Sequence, residues 1–82
     1  MHELSLADEI VRLVQGAAAR EHFRRVATLR LEAGTRAGVE VSALRFALEA
    51  IAPGTCLEGA RIEVDEPPTR ALRVVDLLVL DD

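Results

Sequence analysis

The chain opens with Met1-His2-Glu3, three residues that can close several chelate rings on one cation. The α-amino group of Met1, the amide nitrogen of His2 and one ring nitrogen of His2 form two fused rings, and the amide of Glu3 offers a fourth nitrogen. Metallating a backbone amide displaces its proton. That suits Ni(II) and Cu(II), which favour square-planar or tetragonal nitrogen sites, and not calcium or magnesium, which take oxygen donors. Amine, imidazole and amide all surrender protons to the metal, so affinity must rise with pH. The α-amine itself titrates near about 7.7–8.0. The site requires Met1 to be retained, and a bulky second residue such as His2 is expected to block removal of an initiator methionine. An N-terminal tag would destroy it. The same three residues also fit an ordinary chain start, and alone they leave both readings open.

Composition narrows the setting. Eighty-two residues make one small domain with a modest core. Half of them are hydrophobic, so the chain is expected to fold. The net charge of −4 and the two phenylalanines as sole aromatics argue against nucleic acid. All ten basic residues are arginine, which reads as a habit of a high-GC genome. No apolar run reaches the length of a membrane span. Glu3, Asp8 and Glu9 stand where a signal peptide would carry basic and apolar segments, so a cytoplasmic location is expected. Cys56 is the single cysteine, which leaves no internal disulfide and no CxxC zinc site. It reads as a buried small hydrophobe.

The elements that would position the chain start follow from periodicity. Leu6, Ile10, Leu13, Val14 and Ala17 share one face of a helix over 4–20, with Ser5 and Asp8 as a start signal. The helix could begin a turn earlier, near His2, and the first amides of a helix have no intrahelical acceptor. Residues 23–33 alternate as a strand, Phe23, Ala27, Leu29, Leu31 and Ala33 on one face, Arg24, Thr28, Arg30 and Glu32 on the other with Val26 among them. A second helix spans 42–51, with Ser42 as N-cap and a stripe of Leu44, Ala47, Leu48 and Ile51, flanked by Phe46 and Ala50. Pro53-Gly54 stops it. Ala60, Ile62 and Val64 alternate in a second strand that Pro67-Pro68 ends. Residues 71–80 lose alternation, which predicts a strand apolar on both faces and a candidate partner surface. The fold class predicted is α+β: a two-layer sandwich, order α-β-α-β-β, with both helices on one face of a three-stranded sheet.

Several blocks together resemble the HypA/HybF family of nickel-incorporation proteins. They are Met1-His2-Glu3-Leu4-Ser5-Leu6-Ala7, Arg25-Val26, Leu29-Arg30-Leu31-Glu32, Gly38-Val39-Glu40, Ala43-Leu44-Arg45-Phe46-Ala47, Gly54-Thr55, Leu57-Glu58-Gly59-Ala60-Arg61-Ile62-Glu63-Val64 and Leu72-Arg73-Val74-Val75-Asp76-Leu77. The resemblance implies a metallochaperone, not an enzyme. Such a protein hands Ni(II) to the precursor of the [NiFe]-hydrogenase large subunit with a HypB-type GTPase, and in some organisms supports urease maturation. It assigns the nickel ligands to Met1, His2 and Glu3, with Glu40 as an assisting acidic residue. The family also carries a zinc domain with two CxxC pairs before its last strand. Here Pro67-Pro68-Thr69-Arg70-Ala71 passes straight into Leu72-Arg73-Val74, so residues 1–82 are expected to form a single nickel-binding domain, the zinc domain absent at about 70–72 and no zinc bound. Loss of an inserted domain at a loop is tolerated by many parent folds.

The chain offers no nucleophile–base pair and no phosphate-binding glycine loop. His22, beside Arg24-Arg25, reads as a surface residue at a helix end. Glu21, Glu49 and Glu58 read as solvated charges. The alternative to metal delivery is a docking module that binds the GTPase or a hydrogenase subunit and moves no metal. A monomer or weak homodimer is expected, with the apolar last strand as the contact.

Overall fold

A computed structural model of the chain describes residues 3–80. The first element, α1 (Glu3–Glu21), buries Leu6, Ala7, Ile10, Val11 and Val14, the i, i+4 spacing of one helical face. This stripe is rotated from the one that periodicity predicts. Ala7 and Val11 point inward, and Leu13 is 56% exposed. The reason is the neighbour: α1 packs against the second helix, and a fully buried Ala7 allows a close approach that a larger residue would prevent. Ser5 lies inside the helix and not at its cap, because α1 already includes Glu3. At the other end His22 adopts φ 60, and Phe23 N–H donates to the Ala18 carbonyl at 3.2 Å, the six-residue closure that ends a helix through a left-handed residue. His22 is exposed and serves as this helix end.

That turn delays the first strand, β1, to Val26–Ala33, three residues later than predicted. Val26, Leu29, Leu31 and Ala33 are buried while Ala27 is not. The pairing with the last strand slips between Val26 and Thr28. One extra residue, Ala27, is bulged out and the side-chain phase flips, so Val26, predicted outward, turns inward.

The second helix, α2 (Val41–Ile51), buries Leu44, Ala47 and Leu48. Its N-cap is Glu40 and not Ser42. Phe46 is 74% exposed and belongs to the wet face. Beyond Ala52 the chain turns on short-range bonds: the Thr55 hydroxyl donates to the Ala52 carbonyl at 2.7 Å, and Gly54 N–H donates to Glu58 Oε1 at 2.8 Å. Glu58 therefore fastens a loop and is not merely a solvated charge. Cys56 is buried beside Leu57 in the core, and burial pushes its thiol above the ordinary value. Its amide donates to Gln15 Oε1 at 2.8 Å, which ties the loop to α1.

Strand β2 (Arg61–Asp65) pairs parallel to β1, completing a β-α-β unit through α2. Strand β3 (Leu72–Val79) pairs antiparallel to the opposite side of β1, giving the order β2-β1-β3. The predicted architecture, α-β-α-β-β with both helices against one face of a mixed three-stranded sheet, is the one observed. The lost alternation in β3 has a local cause. Its pairing slips between Arg30 and Leu31, where Asp76 and Val74 are the successive partners, so Val75 is an extra residue. On either side of this bulge the strand still alternates: Leu72, Val74 and Leu77 pack toward the core, and Arg73, Asp76 and Leu78 are exposed. The face away from the helices is a charge lattice, with Arg73 Nε to Glu32 Oε1 at 2.8 Å and Arg30 flanked by Glu63 at 3.7 Å and Asp76 at 3.9 Å.

To pass from β2 to β3 the chain crosses the end of β1 in six residues, 66–71. Gly34 N–H donates to the Ala71 carbonyl at 2.8 Å, Thr35 N–H to the Pro67 carbonyl at 2.8 Å and Arg36 N–H to the Thr69 carbonyl at 2.9 Å. A Cβ on Gly34 would stand 2.5 Å from the Thr69 carbonyl carbon and closer still to its oxygen, inside van der Waals contact with rigid backbone. Gly34→Ala is therefore expected to cost about 1–3 kcal/mol through overpacking. Urea unfolding measures it as a lower midpoint at unchanged slope. An unchanged midpoint would mean the crossing segment is not held where these bonds put it.

Candidate functional site

Of the predicted metal-binding residues, Met1 and His2 lie outside the described residues. Glu3 and Glu40 are described, and they meet. Glu3 stands in the first turn of α1 and Glu40 caps α2. The Glu40 backbone N–H donates to Glu3 Oε2 at 3.1 Å. The two helices therefore start side by side, although 37 residues separate the two positions. The sequence brings them there in steps. Strand β1 ends at Ala33, a seven-residue loop returns the chain through Gly38 at φ 73, half-buried Val39 packs on the core, and Glu40 is left at the rim.

Glu40 is held by its own helix. Its Oε1 accepts the Ser42 hydroxyl at 2.6 Å and the Ser42 amide at 3.1 Å. Ser42, read from sequence as the cap, instead fixes the residue that does the capping. A carboxylate at this position also meets the positive end of the helix dipole. The Ser42 hydroxyl and then the Ser42 amide draw the Glu40 carboxyl below its ordinary 4.5, against opposition from burial and from the negative charge of Glu3. Two carboxylates and two sets of helix-start amides thus share one exposed rim. Carboxylates there attract a cation, and an α-helix leaves its first amides without intrahelical acceptors. Among the described residues, no three His, Cys, Asp or Glu side chains converge as a ready metal cluster. His22 ends α1 at the far side, roughly 27 Å away by the rise of the helix, and takes no part.

The role of Ser42 was not readable from its type, since serine is itself a preferred cap; only the register of α2 reveals it. Arg45 was likewise missed. Its guanidinium donates to the Ile62 carbonyl, joining α2 to β2.

The Ser42 contact has a testable consequence in the metal-free protein. The Glu40 carboxyl is depressed in the folded state, so the interaction stabilises the fold above 4.5 and is lost as pH falls through the lower native value. Ser42→Ala is expected to move the Glu40 titration midpoint back up toward 4.5. Its stability deficit should be largest at neutral pH and close on acidification. Carboxyl-carbon NMR titration reads the first effect, and an unmoved midpoint would remove Ser42 from the account.

Comparison with known proteins gives the chain a family. The family described as "Hydrogenase/urease nickel incorporation, metallochaperone, hypA" matches residues 1–72. The hydrogenase maturation factor HypA of Cupriavidus necator is 68% identical over 71 residues, covering 87% of this chain. That of Polaromonas naphthalenivorans is 63% identical over 71 residues, again 87% of this chain. The chain spans 60% and 62% of the length of these two relatives. In structure it is similar to the solution structure of the Ni metallochaperone HypA from Helicobacter pylori, with a TM-score of 0.86 at 13% identity over the whole of both chains, a likeness of fold. With the matched residues 1–72 taking in both Glu3 and Glu40, this chain belongs to the HypA family of nickel-incorporation proteins.

Proposed function

We propose that this domain binds Ni(II) through Met1, His2 and Glu3 and delivers it in [NiFe]-hydrogenase maturation. The observation that supports this most directly is the bond between the Glu40 amide and the Glu3 carboxylate. It fastens the beginning of α1 to the beginning of α2, so Glu3, the last of the three proposed ligands, is held at a fixed place on the rim. The amide of Glu3 can enter a nickel site without costing the helix an internal bond, since no first-turn amide has an intrahelical acceptor. Glu40, with its Oε1 committed to Ser42, supplies negative charge beside the metal and assists without needing to coordinate it. A site of few donors on an exposed rim suits cargo that must be passed on.

Nickel is cargo here, and the domain makes or breaks no substrate bond. The proposed recipients are those of the family: a HypB-type GTPase and the [NiFe]-hydrogenase large-subunit precursor, in the cytoplasm. No helix among the described residues is long and apolar enough to cross a membrane. With one cysteine in the chain and six residues between β2 and β3, the domain proposed is 1–82 acting without the family's zinc module, whose place is at about 70–72.

A docking module that moves no metal is the competing reading, and the exposed Phe46 and Leu4, 74% and 60% accessible, favour a protein contact on the helical layer. Titration of Ni(II) into the untagged protein beside His2→Ala, followed by ligand-field absorption, separates the two. Metal delivery predicts one nickel per chain with a square-planar or tetragonal spectrum, and at least a tenfold loss of affinity in His2→Ala. Binding should weaken from pH 7.5 to pH 5.5 as the imidazole and amine take up protons. Equal binding by both proteins, or at both pH values, would leave the docking reading standing. Copper is expected to compete, following the Irving–Williams order.

A further inference from the structure

The two edges of the sheet are finished differently. At one edge β2 is five residues long, with exposed Arg61 and Asp65 at its ends, and the Arg45 guanidinium covers the Ile62 carbonyl. Short length and a covered carbonyl are ordinary means by which a free edge is made safe, while charge stands on both edges and β3 also carries the Val75 bulge. At the other edge β3 is eight residues long and contains neither proline nor lysine. Leu78 and the following Leu80 are 62% and 47% exposed. Gly34 N–H bonds to the Ala71 carbonyl and Leu80 N–H to the Arg25 carbonyl, so Ala71 and Leu80 face β1. Antiparallel alternation from these two points turns the backbone groups of Leu72, Val74, Leu77 and Val79 away from it. Among the described residues β3 pairs with β1 alone.

The two charges on this strand carry the argument further. Arg73 lies against Glu32 at 2.8 Å, and Asp76 against Arg30 at 3.9 Å. They have opposite signs, share the open face and flank the Val75 bulge. A two-fold axis at that bulge sets Arg73 of one copy opposite Asp76 of another, and the reverse. Each Asp76 then stands between its own Arg30 and the second copy's Arg73, and each Arg73 between its own Glu32 and the second copy's Asp76, so charge alternates across the junction. The same operation sets Leu72 opposite the second copy's Leu77 on the helix side. There a groove of about 210 Å³ between α1 and β3, lined by Leu6, Ile10, Leu13, Leu72 and Val74 among others, runs into the edge. We infer that β3 pairs antiparallel with β3 of a second copy of this chain, forming a six-stranded sheet across an isologous two-fold interface.

Sedimentation equilibrium of the untagged, metal-free protein tests this; chelator excludes nickel-bridged association. The wild-type chain is expected to dimerise at micromolar to submillimolar concentration. Arg73→Asp and Asp76→Arg each set like charges opposite one another twice and are expected to raise the dimer Kd more than tenfold. Mixed together, they should dimerise again, because an all-acidic strand then faces an all-basic one. Both reversals also oppose Glu32 or Arg30 within the chain, so circular dichroism melting checks that each variant folds. Should either fail, Arg73→Ser and Asp76→Ser decide the question, with an expected rise in Kd of about two- to thirtyfold from two lost cross-strand pairs. A monomeric wild type would assign the edge to a different chain and overturn the inference. So would a dimer indifferent to these substitutions, or a mixture of the two folded reversal variants that stays monomeric.

Discussion

Chain leaving β2 at Asp65 must reach the far side of β1 before it can pair as β3, and the route it takes lies directly over Gly34. This crossing is the constraint on which the sheet depends. β1 is the central strand, parallel to β2 and antiparallel to β3, so neither edge strand can hold its place without it. Six residues suffice to cross two strand spacings of about 4.8 Å each, provided the crossing segment lies close to the end of β1. It does, through three backbone bonds to Gly34, Thr35 and Arg36, and a glycine is required where Thr69 presses against the strand. The crossing is thus built into the packing of the domain and is more than a splice between two strands.

The same end of the molecule carries the candidate metal site. Gly34 to Arg36 hold the crossing, and four residues after Arg36 the chain reaches Glu40, whose amide bonds to Glu3. In a β-α-β unit the loop after a strand's carboxyl end leads to the start of a helix, and helix starts are where anionic groups and unclaimed amides gather. Here the unit contributes the start of α2, and the first helix of the domain brings its own start alongside. Anything inserted into the crossing would therefore emerge a few residues from the rim where nickel is proposed to bind. The family's zinc module, placed by resemblance at about 70–72, would occupy that position. The three backbone bonds from Gly34, Thr35 and Arg36 hold the crossing whatever its loop carries, so this part of the fold does not depend on an insert there.

Much of this was legible in the sequence, because the elements follow strong local patterns. Both helices, the three strands and their order come from periodicity and from Pro53-Gly54 and Pro67-Pro68. What was not legible depended on contacts between elements. The bulges at Ala27 and Val75 each add one residue to a ladder, which only the partner strand can reveal. They reversed the facing of Val26 and made an alternating strand read as apolar on both sides. The inward turn of Ala7 and Val11 in place of Leu13 needs the neighbouring helix. Glu40 rather than Ser42 caps α2 because a glutamate can cap when its carboxylate is held back by the residue two places on, a cooperation that single-residue preferences miss. Of the candidate site, the sequence supplied the residue types and the resemblance supplied the roles proposed for them. The meeting of Glu3 with Glu40 is a tertiary fact with no local signature.

The division of the domain into two layers separates what its surfaces can do. The helical layer carries the rim formed by Glu3 and Glu40, and the sheet layer carries the charge lattice and the open β3 edge. The lattice of Glu63, Arg30 and Asp76 in one row, with Glu32 and Arg73 in the next, is exposed and contributes little to the stability of a single chain, since exposed ion pairs are worth about 0–1 kcal/mol. Its regularity is better understood as register control. A strand that slipped by one residue would turn Leu72, Val74 and Leu77 into water and draw Arg73 and Asp76 into the core, and the charged rows oppose that slip from outside while the apolar layer opposes it from within. Pairing across β3 would extend both layers by the same rule. It would use neither Glu3 nor Glu40, although the groove that runs into the strand edge reaches Leu6, one turn from Glu3. The residues proposed for nickel and those proposed for pairing are therefore distinct, Glu3 and Glu40 for the one and Arg73 and Asp76 for the other.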